Sequence, residues 1–509
     1  MADFHADMTA GYGFDGPTIK LGRPFVDPAA PDTEVTVQVP VRLLNRHGLI
    51  AGATGTGKTK SLQLIAEQIA ANGSPVFAAD MKGDLAGIAQ PGELIEPVAK
   101  RANELSYEWA PGAAPVEVVS LSGERGVPIR ASVTQFGPTL FAKVLELNET
   151  QESSLALVFR FCDEKQLPLI ELEDIRAALM WLEGPGKAEL EAIGGLSKAT
   201  VGVLLRKIGE LEAAGGDTFF GEPSFDVKDL LRTSSDGKGI ISVLELSDVA
   251  TQPELFSTFL MWVLAELYEL LPEVGDPDKP VLVFFLDEAH LLFNGATKGF
   301  VDAVTQTVRL IRSKGVGVFF ITQLPTDIPD EVLAQLGHRV QHAVRAFTPK
   351  DAKALKYAVE TYPVTEHYKL DDTLQALGVG EAVVTVLNPR GVPTPVAATR
   401  MFPPASRMAP LSDDERNAII SSSPIRAKYA TRVDKESAEE ILAARIAGDQ
   451  AGEDAAREAG RPAAPKANQA AADSGGLVDK IGDIVNSRIA RDLGRQAVRS
   501  IFGMLKRRR

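Results

Sequence analysis

The sequence predicts an α/β protein: a mostly parallel sheet with a helical insertion and a C-terminal helical tail. Three features predict it. Short apolar runs of strand length recur at helix-length spacings, one such run leads through a glycine-rich turn into an amphipathic helix, and another ends in adjacent carboxylates. With 509 residues and 45% hydrophobic content the chain can bury large cores, and its length corresponds to roughly three structural units.

In chain order, residues 1–45 are an N-terminal β lead-in. Thr33 to Val39 alternates like an antiparallel strand and is closed by Pro40. Residues 46–136 form the first part of the core, with strands expected at His47–Ala51, Pro75–Asp80 and Glu117–Leu121. Over 137–235 the period becomes helical, with Leu140, Val144, Leu155, Val158, Leu179, Leu182, Leu204 and Ile208 at such spacings, so this segment is read as a helical insertion. The core resumes over 236–405. A strand at Gly239–Leu246 precedes a helix from about Pro253 to Leu271, and apolar runs at Val281–Leu286 and Val316–Ile321 are spaced as parallel strands with crossover helices. Arg339–Phe347 and Glu381–Leu387 are the last strand candidates. Beyond Pro403-Pro404, residues 406–476 form an extension and linker, rich in Ala, Glu, Gly and Pro from about Glu436. Residues 477–509 place Ile481, Ile484, Val485, Ile489 and Leu493 on one stripe flanked by Arg, a basic amphipathic helix. Such a helix suits an anionic membrane, nucleic acid, a partner subunit or its own protein surface.

Composition bounds the function. Cys162 is the single cysteine, so an internal disulfide framework is excluded, and Met1 to His5 does not open a charged-then-apolar leader. The longest apolar stretches are too short to span a bilayer or carry Glu266 and Glu269 within them. A cytoplasmic protein is expected. The net charge of −14 and pI near 5.1 argue against nonspecific coating of nucleic acid, while leaving room for a local basic channel.

The chemistry is carried by Gly52-Ala53-Thr54-Gly55-Thr56-Gly57-Lys58-Thr59, which matches G-x-x-x-x-G-K-[ST] between a strand and a helix. In such a loop, glycines let successive N–H groups and the helix N-terminus point at one anion. Gly52 through Thr59, together with Lys60, are therefore expected to bind ATP, with Lys58 on the β and γ phosphates and Thr59 on Mg²⁺. Strand Val281–Leu286 delivers Asp287 and Glu288 to the carboxyl edge of the sheet, where Asp287 is suited to the Mg²⁺ shell and Glu288 to polarising a water. A solvated loop would give the same two letters; the phosphate loop elsewhere in the chain favours the catalytic reading. Gln323, ending another buried strand, is a candidate γ-phosphate sensor. Arg312 and Arg345 are candidates for the arginine that stabilises transition-state charge, with Arg309 and Arg206 as further possibilities, acting in cis or from a neighbour. Asp287-Glu288-Ala289-His290 matches a DEAH box in four letters only, without the companion helicase motifs, and His290 is read as structural support.

Together, Arg46 to Gly52, Asp80-Met81-Lys82-Gly83-Asp84, Leu286 to His290 and Gly315 to Gln323 resemble the HerA-like ATPases of the FtsK/HerA superfamily, and most closely the YjgR-like bacterial proteins. The resemblance covers most of the chain. It implies a RecA-like P-loop NTPase core, a homo-oligomeric hexameric ring with ATP sites between subunits, and movement of double-stranded DNA. A motor acting on protein, or at a membrane surface through the basic tail, is the alternative. HerA helicases carry a substantial β-barrel ahead of the motor; here about 45 residues precede the loop, fewer than such a domain needs.

Overall fold

The computed structural model describes residues 3–459 apart from 193, 250–252 and 295–297; the predicted basic helix at 477–509 lies outside them. The chain divides into two units. Unit 1 comprises residues 1–129 and 225–431, and unit 2 comprises 130–224 and 432–509.

Unit 1 is organised on one 12-stranded sheet. Its strands are β1 (Thr18–Pro24), β2 (Val37–Pro40), β3 (Gly48–Ala51), β4 (Val76–Asp80), β5 (Val116–Ser120), β6 (Val127–Pro128), β7 (Ile241–Glu245), β8 (Leu282–Leu286), β9 (Val316–Thr322), β10 (His338–His342), β11 (Glu381–Thr385) and β12 (Ala397–Met401). They lie in the order β2-β1-β12-β11-β10-β3-β9-β8-β4-β7-β5-β6. From β10 to β6 every neighbouring pair is parallel, while β2, β1, β12, β11 and β10 pair antiparallel.

Every residue of β3, β4, β7, β8 and β9 is buried, which explains their continuous apolar character: a parallel sheet is covered on both faces. Alternation assigns the faces. Ile50, Val76, Ala78, Val283, Phe285 and Ile321 share a core with Leu62, Ile65, Ala66 and Ile69 of helix Lys58–Ala71. Phe77 and Phe284 point the other way, their rings 4.7 Å apart. Each of the larger of these side chains, the valines, leucines, isoleucines and phenylalanines, contributes about 1.5–3 kcal/mol by leaving water. Helix Pro253–Leu270 is apolar nearly all round and buried from Leu255 to Ala265, as a core helix must be.

Two expectations change at the antiparallel end. The predicted strand at Thr33–Val39 forms only from Val37, and the one at Arg339–Phe347 stops at His342. Strands β1 and β12 and helix Phe4–Tyr12 were not anticipated.

Unit 2 is helical over the span between the two core segments. Helices Val133–Val144, Glu149–Glu164, Leu172–Glu183 and Lys198–Ala213 bury Leu140, Leu155, Leu179 and Leu204, and helix Ala438–Ala459 belongs to the same unit.

Candidate functional site

Four strand ends meet at the carboxyl edge of the parallel sheet, and the order β3-β9-β8-β4 explains which residues they bring together. The loop after β3 is held by its neighbours on both sides. The Gly52 N–H donates to the carbonyls of Thr322 (3.3 Å) and Gln323 (3.1 Å), the Ala53 N–H donates to Ala343 O at 2.9 Å, and the Gly380 N–H donates to Thr56 O at 2.9 Å. Gly52 has φ 150, and a Cβ there would lie 2.5 Å from the Cβ of His342, so the first glycine of the motif is required by packing as well as by backbone freedom. Strand β10 ends at His342, and the carbonyl of the next residue, Ala343, accepts from the loop.

His342 is buried and its ring is kept neutral, pushed down to about 4 by burial. Its Nδ1 lies 2.9 Å from Glu381 O, and its Nε2 2.9 Å from Ser61 Oγ in the first helical turn. A carbonyl only accepts, so Nδ1 carries the proton and Nε2 accepts from Ser61. Helix Lys58–Ala71 starts at Gly57, whose φ is 115, and no side chain caps it. Its first-turn N–H groups and the positive end of its dipole are therefore available to an anion.

Lys58 is buried and folded back on the loop, with Nζ donating to Gly52 O (2.6 Å) and Ala53 O (3.2 Å). Burial lowers its pKa; the fields of Glu288 and Asp287 oppose this and that of Lys82 adds to it. The ammonium is thus within electrostatic reach of both acids. Asp287 directly follows β8, its Oδ1 accepting from the Glu288 N–H at 2.9 Å. Burial pushes its carboxyl up to about 7, Glu288 adds to the shift, and Lys82 opposes it. Glu288 has φ 47, a left-handed conformation that costs a non-glycine residue roughly 1–3 kcal/mol. One of its oxygens, Oε1, lies 3.1 Å from Lys82 Nζ; the other, Oε2, is buried without a hydrogen bond, with His290 Nδ1 3.5 Å away.

The remaining predicted residues separate. Thr59 is half-buried in the first helical turn, and Thr54, Gly55 and Gln323 are exposed at the same edge. Lys60 points elsewhere, donating to Met408 O. Arg345 is exposed just beyond β10 and donates to Gln375 O at 3.0 Å. Arg312 precedes β9, near Asp276 at 4.0 Å. The strand separates it from Gln323, so it sits at the opposite edge, roughly 20 Å from the loop of its own chain. Arg309 is exposed on helix Lys298–Ile311, and Arg206 belongs to unit 2.

Two contributors carried no role in the sequence reading. Lys82 was visible only as a letter of Asp80-Met81-Lys82-Gly83-Asp84, and His342 lay inside a predicted strand.

The residues suit a magnesium nucleotide. An uncapped helix start and a cation held only by loop carbonyls are groups an anion could engage, and Asp287 and Thr59 carry oxygens of the kind Mg²⁺ takes from protein when phosphates complete its shell. Among the described residues no group of three His, Cys, Asp or Glu forms a metal cage. A cavity of about 480 Å³ lined by Arg125, Asp248, Asp413 and Arg416 among others contains none of these groups. Anion-binding chemistry, not void volume, locates the site.

Residues 27–509 match the family described as Helicase HerA-like C-terminal. The DNA double-strand break repair helicase HerA of Sulfolobus acidocaldarius is 23% identical over 365 residues, covering 68% of this chain and 64% of that protein. The chain therefore spans slightly less than two thirds of that relative. Among solved structures, the plasmid coupling protein TrwB in complex with ADP and Mg²⁺ is similar with a TM-score of 0.51 at 15% identity, covering 79% of this chain and 98% of that one. The same protein with the non-hydrolysable ATP analogue ADPNP gives 0.51 at 16% identity, covering 78% and 98%. At these identities the likeness is one of fold.

Proposed function

The chain belongs to the Helicase HerA-like C-terminal family, and from that membership we propose that it is a Mg²⁺-dependent ATPase acting as an oligomeric motor on double-stranded DNA. The observation that carries the ATPase reading is the convergence of Lys58, Asp287 and Glu288 on one sheet edge, beside an uncapped helix N-terminus. Lys58 exchanges the Gly52 and Ala53 carbonyls for the β and γ phosphates, and the loop N–H groups cradle the rest of the chain of phosphates. Thr59 and Asp287 hold the Mg²⁺, which neutralises phosphate charge when bound. Glu288 accepts a proton from the attacking water, and Gln323 reports on the γ-phosphate. Arg345 stands on the carboxyl edge, whereas Arg312 serves a site only from a neighbouring subunit of a homo-oligomer, a hexameric ring being the arrangement the family resemblance implies.

The polymer is the finer part of the proposal. Duplex DNA is preferred on family grounds, while the net charge of −14 favours the second reading, an ATPase acting on protein or at a membrane surface. Hydrolysis by purified protein with and without duplex DNA, after sizing the particle with a non-hydrolysable ATP analogue, separates them. The DNA reading expects stimulation that falls as salt rises. Hydrolysis indifferent to DNA at low salt, together with binding to anionic liposomes, would replace it with the second reading.

A further inference from the structure

Lys82 is a second cation in the site, and the phosphate-loop pattern does not require it. It stands two residues beyond β4 in a closely specified turn. The Asp80 carboxylate accepts from the N–H groups of Lys82 (3.1 Å), Gly83 (2.8 Å) and Leu85 (2.8 Å). Gly83 has φ 71, and a Cβ there would lie 2.8 Å from Glu245 Oε1. An aspartate gathering three amides, followed by a position closed to side chains, fixes the backbone from which Lys82 projects. Strands β4 and β8 are paired neighbours with Ala79 opposite Leu286, so their ends bring residue 82 beside residue 288. The Lys82 ammonium reaches Glu288 Oε1 at 3.1 Å, with the Lys82 side chain about half exposed and that of Glu288 only 15% exposed. Burial works against the charge on Lys82, yet Glu288 and Asp287 keep its pKa raised. The other oxygen of Glu288, Oε2, is buried and makes no hydrogen bond, with His290 Nδ1 standing 3.5 Å from it. One carboxylate oxygen is held by the Lys82 ammonium, and the other has no hydrogen-bond partner.

We propose that Lys82 is the positioning residue of the hydrolytic step, holding Glu288 Oε1 so that Oε2 is presented to the attacking water. The inference rests on the ATPase reading above and adds to it a residue that reading does not use. In the step, the water oxygen bonds to the γ-phosphorus, the bond from that phosphorus to the β–γ bridging oxygen breaks, and ADP leaves with that electron pair. The water proton passes to Glu288 Oε2 and is later released to phosphate or solvent. A glutamate side chain has three rotatable bonds, and a base must be held to within about 0.5 Å and 10–20° of its working geometry. The strained φ at Glu288 limits the backbone side of that requirement, and the Lys82 ion pair supplies the side-chain end. Lys82 acts through Glu288 and need not touch the nucleotide, which separates its role from that of Lys58.

The test compares wild type, Lys82→Ala, Lys82→Met, Lys82→Arg and Glu288→Gln in Mg-ATP hydrolysis, with the affinity for a fluorescent ADP and the thermal midpoint measured on each. Lys82→Ala and Lys82→Met are expected to lower kcat on the order of 10- to 100-fold. KM and ADP affinity should move by less than about threefold, which separates turnover from uniform binding. Lys82→Arg should recover much of the loss, and added ethylammonium should raise the rate of Lys82→Ala but not of Glu288→Gln. The methionine variant keeps the length of the side chain, so it reads the charge even where alanine perturbs folding. Turnover by Lys82→Met equal to or faster than wild type, or a loss confined to KM, would overturn the positioning role. Glu288→Gln as active as wild type, or a wild type without turnover, would sink the hydrolysis reading and this inference with it.

Discussion

Asp287 shows what the site does to a single group. Its carboxyl is pushed up to about 7, first by burial and then by Glu288. A raised folded-state pKa favours the protonated form, so the associated stability is fully present below about pH 4 and is lost as pH rises through 7. At pH 8 the charged group is a burden on the nucleotide-free protein. Asp287→Asn should therefore raise the melting temperature of that protein at pH 8, by the equivalent of about 1–3 kcal/mol after discounting for the water that still reaches the group. The gain should shrink towards zero near pH 4, as thermal scans across that range would record. A gain independent of pH would mean that the charge is not its source. On the proposed function, the same residue illustrates why a binding site can be costly to the protein that carries it: the acid would be placed for a cation, not for stability.

At the scale of elements, the loop after β3 is a structure shared by four strands. Gly52 is fixed by β9 and β10 together, and Gly52→Ala would force a methyl against His342 at 2.5 Å while occupying φ 150. That variant should lose nucleotide affinity by at least tenfold and stability by roughly 2–4 kcal/mol, measured by isothermal titration and denaturant unfolding. Wild-type affinity would mean the loop tolerates the displacement. This shared construction also explains what could be read beforehand. The strands β3, β4, β5, β7, β8 and β9 announce themselves as apolar runs because both their faces are covered, and the loop and the acids sit at the ends of such runs. Strand β1 carries Lys20, Gly22, Arg23 and Pro24, and β12 is short with Arg400 within it. The two strands pair with each other across hundreds of residues, as in Gly22 opposite Met401, so local pattern gives no hint of that pairing. Lys82 was hidden for a related reason. Its importance lies in the adjacency of β4 and β8, and adjacency in a sheet is not written in the spacing of one strand's residues. Arg312 is the converse case: helical spacing put it on a plausible face, but the direction of β9 carries that face to the far edge.

Across the whole molecule, burial of His47, His338 and His342 sets the response to acid. Their rings are pushed down to about 3, 4 and 4 respectively by burial. A lowered folded-state pKa means stability that is present above the ordinary value of 6.5 and is lost as pH falls towards 4, about 2 kcal/mol for each ring at pH 5. Asp80 and Asp287, at about 6 and 7, run in the opposite direction, but three histidines outweigh two aspartates. Unit 1 should therefore lose on the order of 1–3 kcal/mol between pH 7 and pH 5, and His338→Gln should flatten that slope in thermal scans. A melting temperature unchanged over this range would contradict the burial of neutral imidazole. The same sheet that buries these rings carries Lys58, Asp287 and Glu288 to one edge, and the claim on which the functional reading depends is that they act on one magnesium nucleotide. The most direct measurement is fluorescent-nucleotide binding and steady-state ATP hydrolysis on the wild type, Lys58→Ala and Glu288→Gln proteins, each with and without Mg²⁺. Mg²⁺-dependent turnover in the wild type, weakened binding in Lys58→Ala, and retained binding with turnover reduced at least 100-fold in Glu288→Gln are expected. Equal turnover by all three proteins would contradict it.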